Sequence, residues 1–386
     1  MGDINKWLED QIENNLIPTL MDYIRIPNQS RLFDPEWQTN GLSLKVCEFA
    51  KKWAEAQKLD NFTIEIVQEE GRTPCLLAIL DTPNAANVLM YGHLDKQPPL
   101  TEQWSTGLHP YHPVIKNDRL YGRGSADDGY AFFASVLILK ALQTFKLPTS
   151  RVVLFFETDE ESGSRDLVYL LEKNAAKVGN VDLVICLDSG TCDYEHWCLI
   201  TTLRGNCKLQ LKVEVSKEGV HSGTASGIIP DTFRIARKIL EQLESAEDGH
   251  LYVPDLYVNI PEDKYQQARC LIKELGGSID WKFPFLPGVQ PTVEDGFKQY
   301  INRIWMPQLT SPVLTGYPTS PTRATSFVRR PRSASLSACR PPCPRTWPER
   351  PSPSSSKNSP SPTTPKSPRP SEGSARGSAA RCSAQT

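Results

Sequence analysis

Histidine and carboxylates recur in this chain wherever an apolar run ends. His93 and Asp95 stand one residue apart in MYGHLD, and Asp127 and Asp128 close the glycine-rich turn GRGSADD. Glu160 and Glu161 follow the apolar VVLFF run, and Asp188 directly follows VICL. Singly, each acid reads as a helix cap or a strand-end charge in water. Together, four acidic clusters beside a packed interior are costly unless something positive neutralises them. An imidazole with carboxylates is a donor set suited to a borderline divalent metal. Period two at a strand end puts His93 and Asp95 on the same side. One ring nitrogen is then free for a metal while a carboxylate accepts a hydrogen bond from the other and fixes the tautomer.

The elements that must position these groups can be read from periodicity. Residues 4 to 26 have helical apolar spacing interrupted by Pro18, and Leu42 to Gln57 fits a second amphipathic helix. Thr63 to Gln68, Cys75 to Leu80 and Val88 to Tyr91 are short runs separated by Gly, Pro and Asn, as adjacent strands would be. Tyr130 to Phe145 is apolar nearly all round and reads as a buried helix. Val152 to Phe156 and Val181 to Leu187 read as fully buried strands, with Asp166 to Val178 a helix between them. This alternation predicts an α/β domain with a mixed, largely parallel sheet between helices. In such sheets the ligand site lies beyond the carboxyl ends of the strands, where Tyr91, Phe156 and Leu187 give way to polar sequence. From Arg204 the pattern changes. Cys207 to Val215 alternates strictly, predicting a strand with one wet face, and Asp231 heads an amphipathic helix. A second domain of α+β type follows the first sheet.

Composition divides the chain in the same way. Fifteen of the 32 prolines follow Ser311, in a stretch with twelve basic and two acidic residues, so the net charge of −2 conceals a body near −12. The Ser/Pro/Arg-rich segment cannot bury enough apolar surface to offset the entropy of ordering, which predicts a disordered tail. Neither a nucleic-acid nor a membrane partner is expected, although a basic tail is the one feature on which nucleic-acid binding could rest. The start, MGDINKWLED, has no apolar signal region, and no apolar run approaches a bilayer span. The 10 cysteines are scattered without regular spacing, which fits reduced thiols in a cytoplasmic enzyme.

Five motifs in order, GHLD with QPP soon after, LYGRGSADDG, DEESGS, the Asp of CLDSG and EGVHSGTASG, carry a family resemblance. They resemble the dinuclear zinc metallopeptidases that include carboxypeptidase G, aminoacylase and cytosolic dipeptidases of the carnosinase type, over about residues 4 to 318. The resemblance implies the N-terminal part of a catalytic domain over 1–203 and an inserted, incomplete lid and dimerisation domain over 204–318, followed by the Ser/Pro/Arg-rich tail over 319–386. It implies two divalent metal ions, zinc or manganese, bridged by Asp127. His93 and Asp188 would complete one metal and Glu161 would help hold the other. Asp95 would orient His93, and Glu160 would be the general base. His221, in the second domain, would reach a neighbouring subunit's site in a homodimer and stabilise the oxyanion. The implied reaction is hydrolysis of a small peptide, with an N-acyl amino acid deacylase as the alternative.

The chain departs from that family in one respect. The family takes a further metal ligand from a histidine late in the chain, and none of the six histidines follows His250. A frameshift, altered splicing or a gene-model error near Tyr317 is expected, with the second metal short of an imidazole and activity weakened or absent. A catalytically inactive subunit that retains only dimerisation is the expectation of a different class.

Overall fold

The computed structural model describes residues 2–314 apart from 85, 194, 281 and 282, together with two later strand backbones. The chain divides into two compact units, Met1–Tyr194 and Glu195–Thr386.

In the first unit, α1 (Gly2–Gln11) passes through one π-helical turn, Ile12–Leu16, into α2 (Ile17–Ile24) without a break. Pro18 falls just after this change of hydrogen-bond register, so the expected interruption becomes a π-turn within one helical run. Next come α3 (Leu42–Ala56), β1 (Phe62–Val67), β2 (Cys75–Leu80) and β3 (Asn87–His93). A small hairpin of β4 (Val114–Lys116) and β5 (Arg119–Tyr121) precedes α4 (Tyr130–Thr144), β6 (Arg151–Glu157), α5 (Leu167–Lys173), α6 (Ala175–Val178) and β7 (Leu183–Cys186).

The main sheet has the order β1-β2-β6-β3-β7. β3 runs parallel to both β6 and β7, while β2 is antiparallel to β1 and β6, so four of the five strands point the same way. Parallel neighbours need a crossover, and α4 supplies it between β3 and β6. Successive side chains of β6 serve the two faces. Val152, Leu154 and Phe156 join α2, α3 and α4 in one core, while Val153 and Phe155 pack with Leu170 and Val178 on the other face. Layers on both faces explain why VVLFF is apolar without alternation.

The strand expected to be buried over Val181 to Leu187 is shorter and largely exposed. It is β7, at an edge of the sheet, with Leu183 and Val184 more than half exposed. An apolar run looks the same in a central strand as in an edge strand, and among the described residues β7 pairs with β3 alone.

The second unit contains β8 (Gly205–Val213), α7 (Ser222–Ala225), α8 (Thr232–Leu240), α9 (Glu262–Glu274), α10 (Gly296–Ile304) and β9 (Leu309–Leu314). Leu211 and Val213 of β8 are buried against Ile235, Ile239 and Leu240 of α8, and Asp231 Oδ1 accepts the Arg234 N–H at 2.7 Å as an N-cap. Within the Ser/Pro/Arg-rich segment, β10 (Arg332–Arg340) and β11 (Arg381–Ala384) pair antiparallel with β8. The rest of the segment expected to be disordered lies outside the described residues. Among the described residues no helix is long and apolar enough to cross a membrane.

Phe133 of α4 is fully buried and meets Tyr23, Phe49 and Trp53 edge-to-face at centroid distances of 6.0, 6.1 and 5.0 Å. Phe133→Ala should therefore lower unfolding stability by about 3–5 kcal/mol in urea titrations. A loss below about 1 kcal/mol would show that this cluster is not a packed core.

Candidate metal centre

β3 ends at His93, whose side chain is completely buried. Its Nδ1 lies 3.1 Å from the Asp95 carbonyl and 3.3 Å from Asp95 Oδ1. Two acceptors on that side place the proton on Nδ1 and turn Nε2 toward the carboxylates. Asp95, also buried, accepts two further hydrogen bonds, from the Glu160 N–H at 3.2 Å and the Glu161 N–H at 3.1 Å. One carboxylate thus ties the end of β3 to the turn that follows β6.

Around His93 Nε2 stand Asp127 Oδ1 at 3.1 Å, Asp188 Oδ2 at 3.8 Å and Glu160 Oε2 at 4.0 Å. Two donor sets result, His93 with Glu160 and Asp188, and His93 with Asp127 and Glu161, each with ligand atoms within 4.8 Å of one another. The topology accounts for the convergence. The parallel strands β3, β6 and β7 all end on one side of the sheet, so His93, the glutamates and Asp188 meet there, and Asp127 joins them just before α4 begins.

Further groups position these donors. Asp128, adjacent to Asp127, has a different environment. It is buried beneath β3 and its Oδ2 accepts the His93 N–H at 3.1 Å. A Cβ on Gly92 would come within 2.4 Å of that oxygen and 2.5 Å of the Phe156 ring, so this position has no room for a side chain. Tyr130 Oη donates to the Leu187 carbonyl at 2.5 Å, fixing the backbone before Asp188, and Gln97 donates to Glu161. Lys96, fully buried, donates to the carbonyls of Tyr23 and Ile26 and to Asn28 Oδ1. Tyr23 Oη and Asn28 Nδ2 in turn donate to the Leu94 carbonyl at 2.9 and 2.7 Å. Only the fold brings these residues, some 70 positions apart, to the loop that holds Asp95.

The electrostatics are those of a site short of positive charge. Burial disfavours the charged His93 ring, yet its hydrogen bonds to Asp127 and Asp95 and the field of the surrounding acids outweigh this and hold its pKa at about 12. Burial pushes Glu161 up to about 7 and Asp128 up to about 8, and it raises Glu160 and Asp188, with neighbouring carboxylates adding to the effect. Asp127 is lowered, chiefly by its hydrogen bond to His93. Glu161 Oε1 is buried with no hydrogen-bond partner. An orphaned carboxylate oxygen, one imidazole and a surplus of carboxylates fit a divalent cation.

His221, the candidate from the second unit, is exposed at the head of α7, where its Nδ1 accepts the Gly223 N–H at 3.1 Å. Its place is described within that unit alone. Among the described cysteines, Cys47, Cys75, Cys186, Cys198, Cys207 and Cys270 are free thiols.

A single imidazole ringed by carboxylates at the carboxyl ends of parallel strands is an arrangement suited to metal-dependent hydrolysis. The description "peptidase family M20/M25/M40" matches residues 89–281, half of the sequence, and the chain belongs to that family. It is 28% identical over 318 residues to the Cys-Gly metallodipeptidase of Candida albicans, covering 77% of this chain and 62% of that protein. It is 32% identical over 190 residues to the Beta-Ala-His dipeptidase of Rattus norvegicus, covering 48% of this chain and 38% of the relative. The chain thus spans less than two thirds of the length of these curated relatives. The crystal structure of human carnosine dipeptidase 1 shares the fold with a TM-score of 0.70 at 20% identity, over 88% of this chain and 72% of the other. An M20 family metallo-carboxypeptidase from Sulfolobus solfataricus does so with a TM-score of 0.67, also at 20% identity.

The raised proton affinities have a measurable consequence. Without metal, folded His93 and Glu161 keep their protons to about pH 12 and 7, above the unfolded-chain values of about 6.5 and 4.3. The folded state binds more protons than the unfolded chain over that range, so its stability is greatest in mild acid and falls as pH rises. A bound cation displaces those protons. Thermal melts should show the metal-free Tm falling between about pH 5.5 and about pH 9, and the zinc-induced rise in Tm growing over the same interval. A zinc increment independent of pH would contradict this protonation scheme.

Proposed function

We propose that this protein is a metal-dependent dipeptidase or exopeptidase acting on short peptides. The observation that carries the reading is the pair of donor sets meeting at His93 Nε2. The names of the relatives, Cys-Gly metallodipeptidase and Beta-Ala-His dipeptidase, point to dipeptides with free termini as the substrate class. The organisation that goes with it is a catalytic domain over 1–203 and a lid and dimerisation domain over 204–318, in a cytoplasmic homodimer. The free thiols support a reducing compartment.

His93, Asp127, Glu161 and Asp188 would hold the two divalent ions, zinc or manganese. Such ions, when bound, act as Lewis acids toward a carbonyl oxygen and make water more acidic. Glu160 is the general base. Its carboxylate takes a proton from the attacking water as the new C–O bond forms, and returns it to the leaving nitrogen as the C–N bond breaks. Burial and its acidic neighbours raise the proton affinity of Glu160, which suits a group that must hold that proton between the two steps. Asp95 keeps His93 in the Nδ1–H tautomer and keeps the Glu160 backbone in place. His221 accepts at Nδ1, so its neutral ring carries the proton at Nε2, available to an oxyanion in a neighbouring subunit's site.

One observation favours a second reading. No histidine follows His250, so the centre described has a single imidazole for two ions, and a weakly active or inactive subunit retaining dimerisation is the alternative. Metal analysis of the purified chain, with assays on dipeptides and N-acyl amino acids, separates these. The dipeptidase reading predicts chelator-sensitive dipeptide hydrolysis whose kcat falls about 10²- to 10⁴-fold in Glu160→Gln with little change in KM. Metal binding without turnover would favour the inactive subunit, and a chain that binds no metal would overturn the dipeptidase reading.

A further inference from the structure

The turn bearing Glu160 and Glu161 is gripped from two sides. Asp95 accepts its two amides from within. On the outer side stands Arg31, in a segment to which neither the sequence motifs nor the proposed chemistry assigns a role. Its side chain is 11% exposed, with Nη2 2.6 Å from Asp159 Oδ2 and Nη1 3.0 Å from Asp166 Oδ2. Asp159 immediately precedes the glutamates and Asp166 immediately precedes α5, so one guanidinium spans the base of the loop that carries them. Its neighbours add to the grip. Ser30 Oγ lies 2.5 Å from Ser162 Oγ, which also accepts the Leu32 N–H at 2.9 Å. The Asp159 side chain has no solvent exposure, and its Oδ2 also accepts the Arg165 N–H at 3.0 Å.

We propose that Arg31 is a positioning residue that holds Glu160 and Glu161 at the metal centre, an inference that rests on the metallopeptidase reading above. A planar fork can engage two carboxylates at once, whereas the point charge of lysine cannot satisfy both in these positions. Two buried carboxylates without their shared cation would repel each other and draw in water, loosening the base of the loop. None of the hydrogen bonds or ion pairs of Arg31 involves the donor atoms themselves, so its effect passes through the placement of the turn.

The test uses the full chain, stripped of metal and titrated with Co²⁺, as wild type, Arg31→Lys and Arg72→Lys. Arg72 is the control because it pairs with Asp166 from a more exposed position and does not touch Asp159. Arg31→Lys should weaken Co²⁺ binding by about 10- to 100-fold, the usual effect of removing a group that orients a ligand, while Arg72→Lys leaves it nearly unchanged. In the metal-free proteins, hydrogen exchange of the Glu160 and Glu161 amides should accelerate in Arg31→Lys, with exchange in β3 unaltered. Wild-type Co²⁺ affinity and exchange in Arg31→Lys would overturn the proposal. So would a general loss of protection across the first unit, since Arg31 would then serve stability alone. If the wild type binds no Co²⁺, the metallopeptidase reading fails, and the exchange comparison alone decides whether Arg31 holds the turn.

Discussion

The buried carboxylate of Asp95 is the constraint on which the rest of the site depends. It is sealed from solvent, faces His93 Nδ1, and accepts the amides of both Glu160 and Glu161. Hydrogen bonds to a buried charge are among the stronger ones, and leaving such a charge without partners is expensive. The three contacts are therefore coupled. The imidazole orientation, the position of the two glutamates and the path of the chain after β3 are set by one group. The segment from Tyr23 to Asn28 supports it from behind through Lys96 and the Leu94 carbonyl, which gives the first helices a part in positioning the site that their own sequence does not advertise.

How much of this was legible depended on whether the signal is local. The strand ends were, because apolar runs stop at His93, before Glu160 and before Asp188, and a parallel sheet brings such ends together. The two-layer core was legible in the unbroken apolar text of β6 and α4. Asp127 and Asp128, in contrast, are identical in type and adjacent, and only the packing beneath β3 separates the one facing His93 Nε2 from the one fixing the His93 amide. The edge position of β7 was also hidden, since periodicity reports burial of a pattern and not the presence of a neighbouring strand. Asn28, Arg31 and Lys96 act across 60 to 130 residues of sequence and lack any motif of their own.

Family membership and geometry bear on different questions. The match over residues 89–281 establishes the kinship, and the likeness to solved dipeptidases at 20% identity establishes the fold. Neither determines how a centre with one imidazole behaves. The charge balance bears on it, since among the described residues one protonatable ring faces a surplus of carboxylates that a bound cation would offset in place of protons.

X-ray absorption at the zinc edge on the zinc-loaded chain tests that central claim most directly. The account predicts a first shell of oxygen and nitrogen alone, with the outer-shell scattering of His93 as its imidazole contribution. A sulfur shell from thiols such as Cys186 or Cys192, or a chain that retains no zinc, would contradict it.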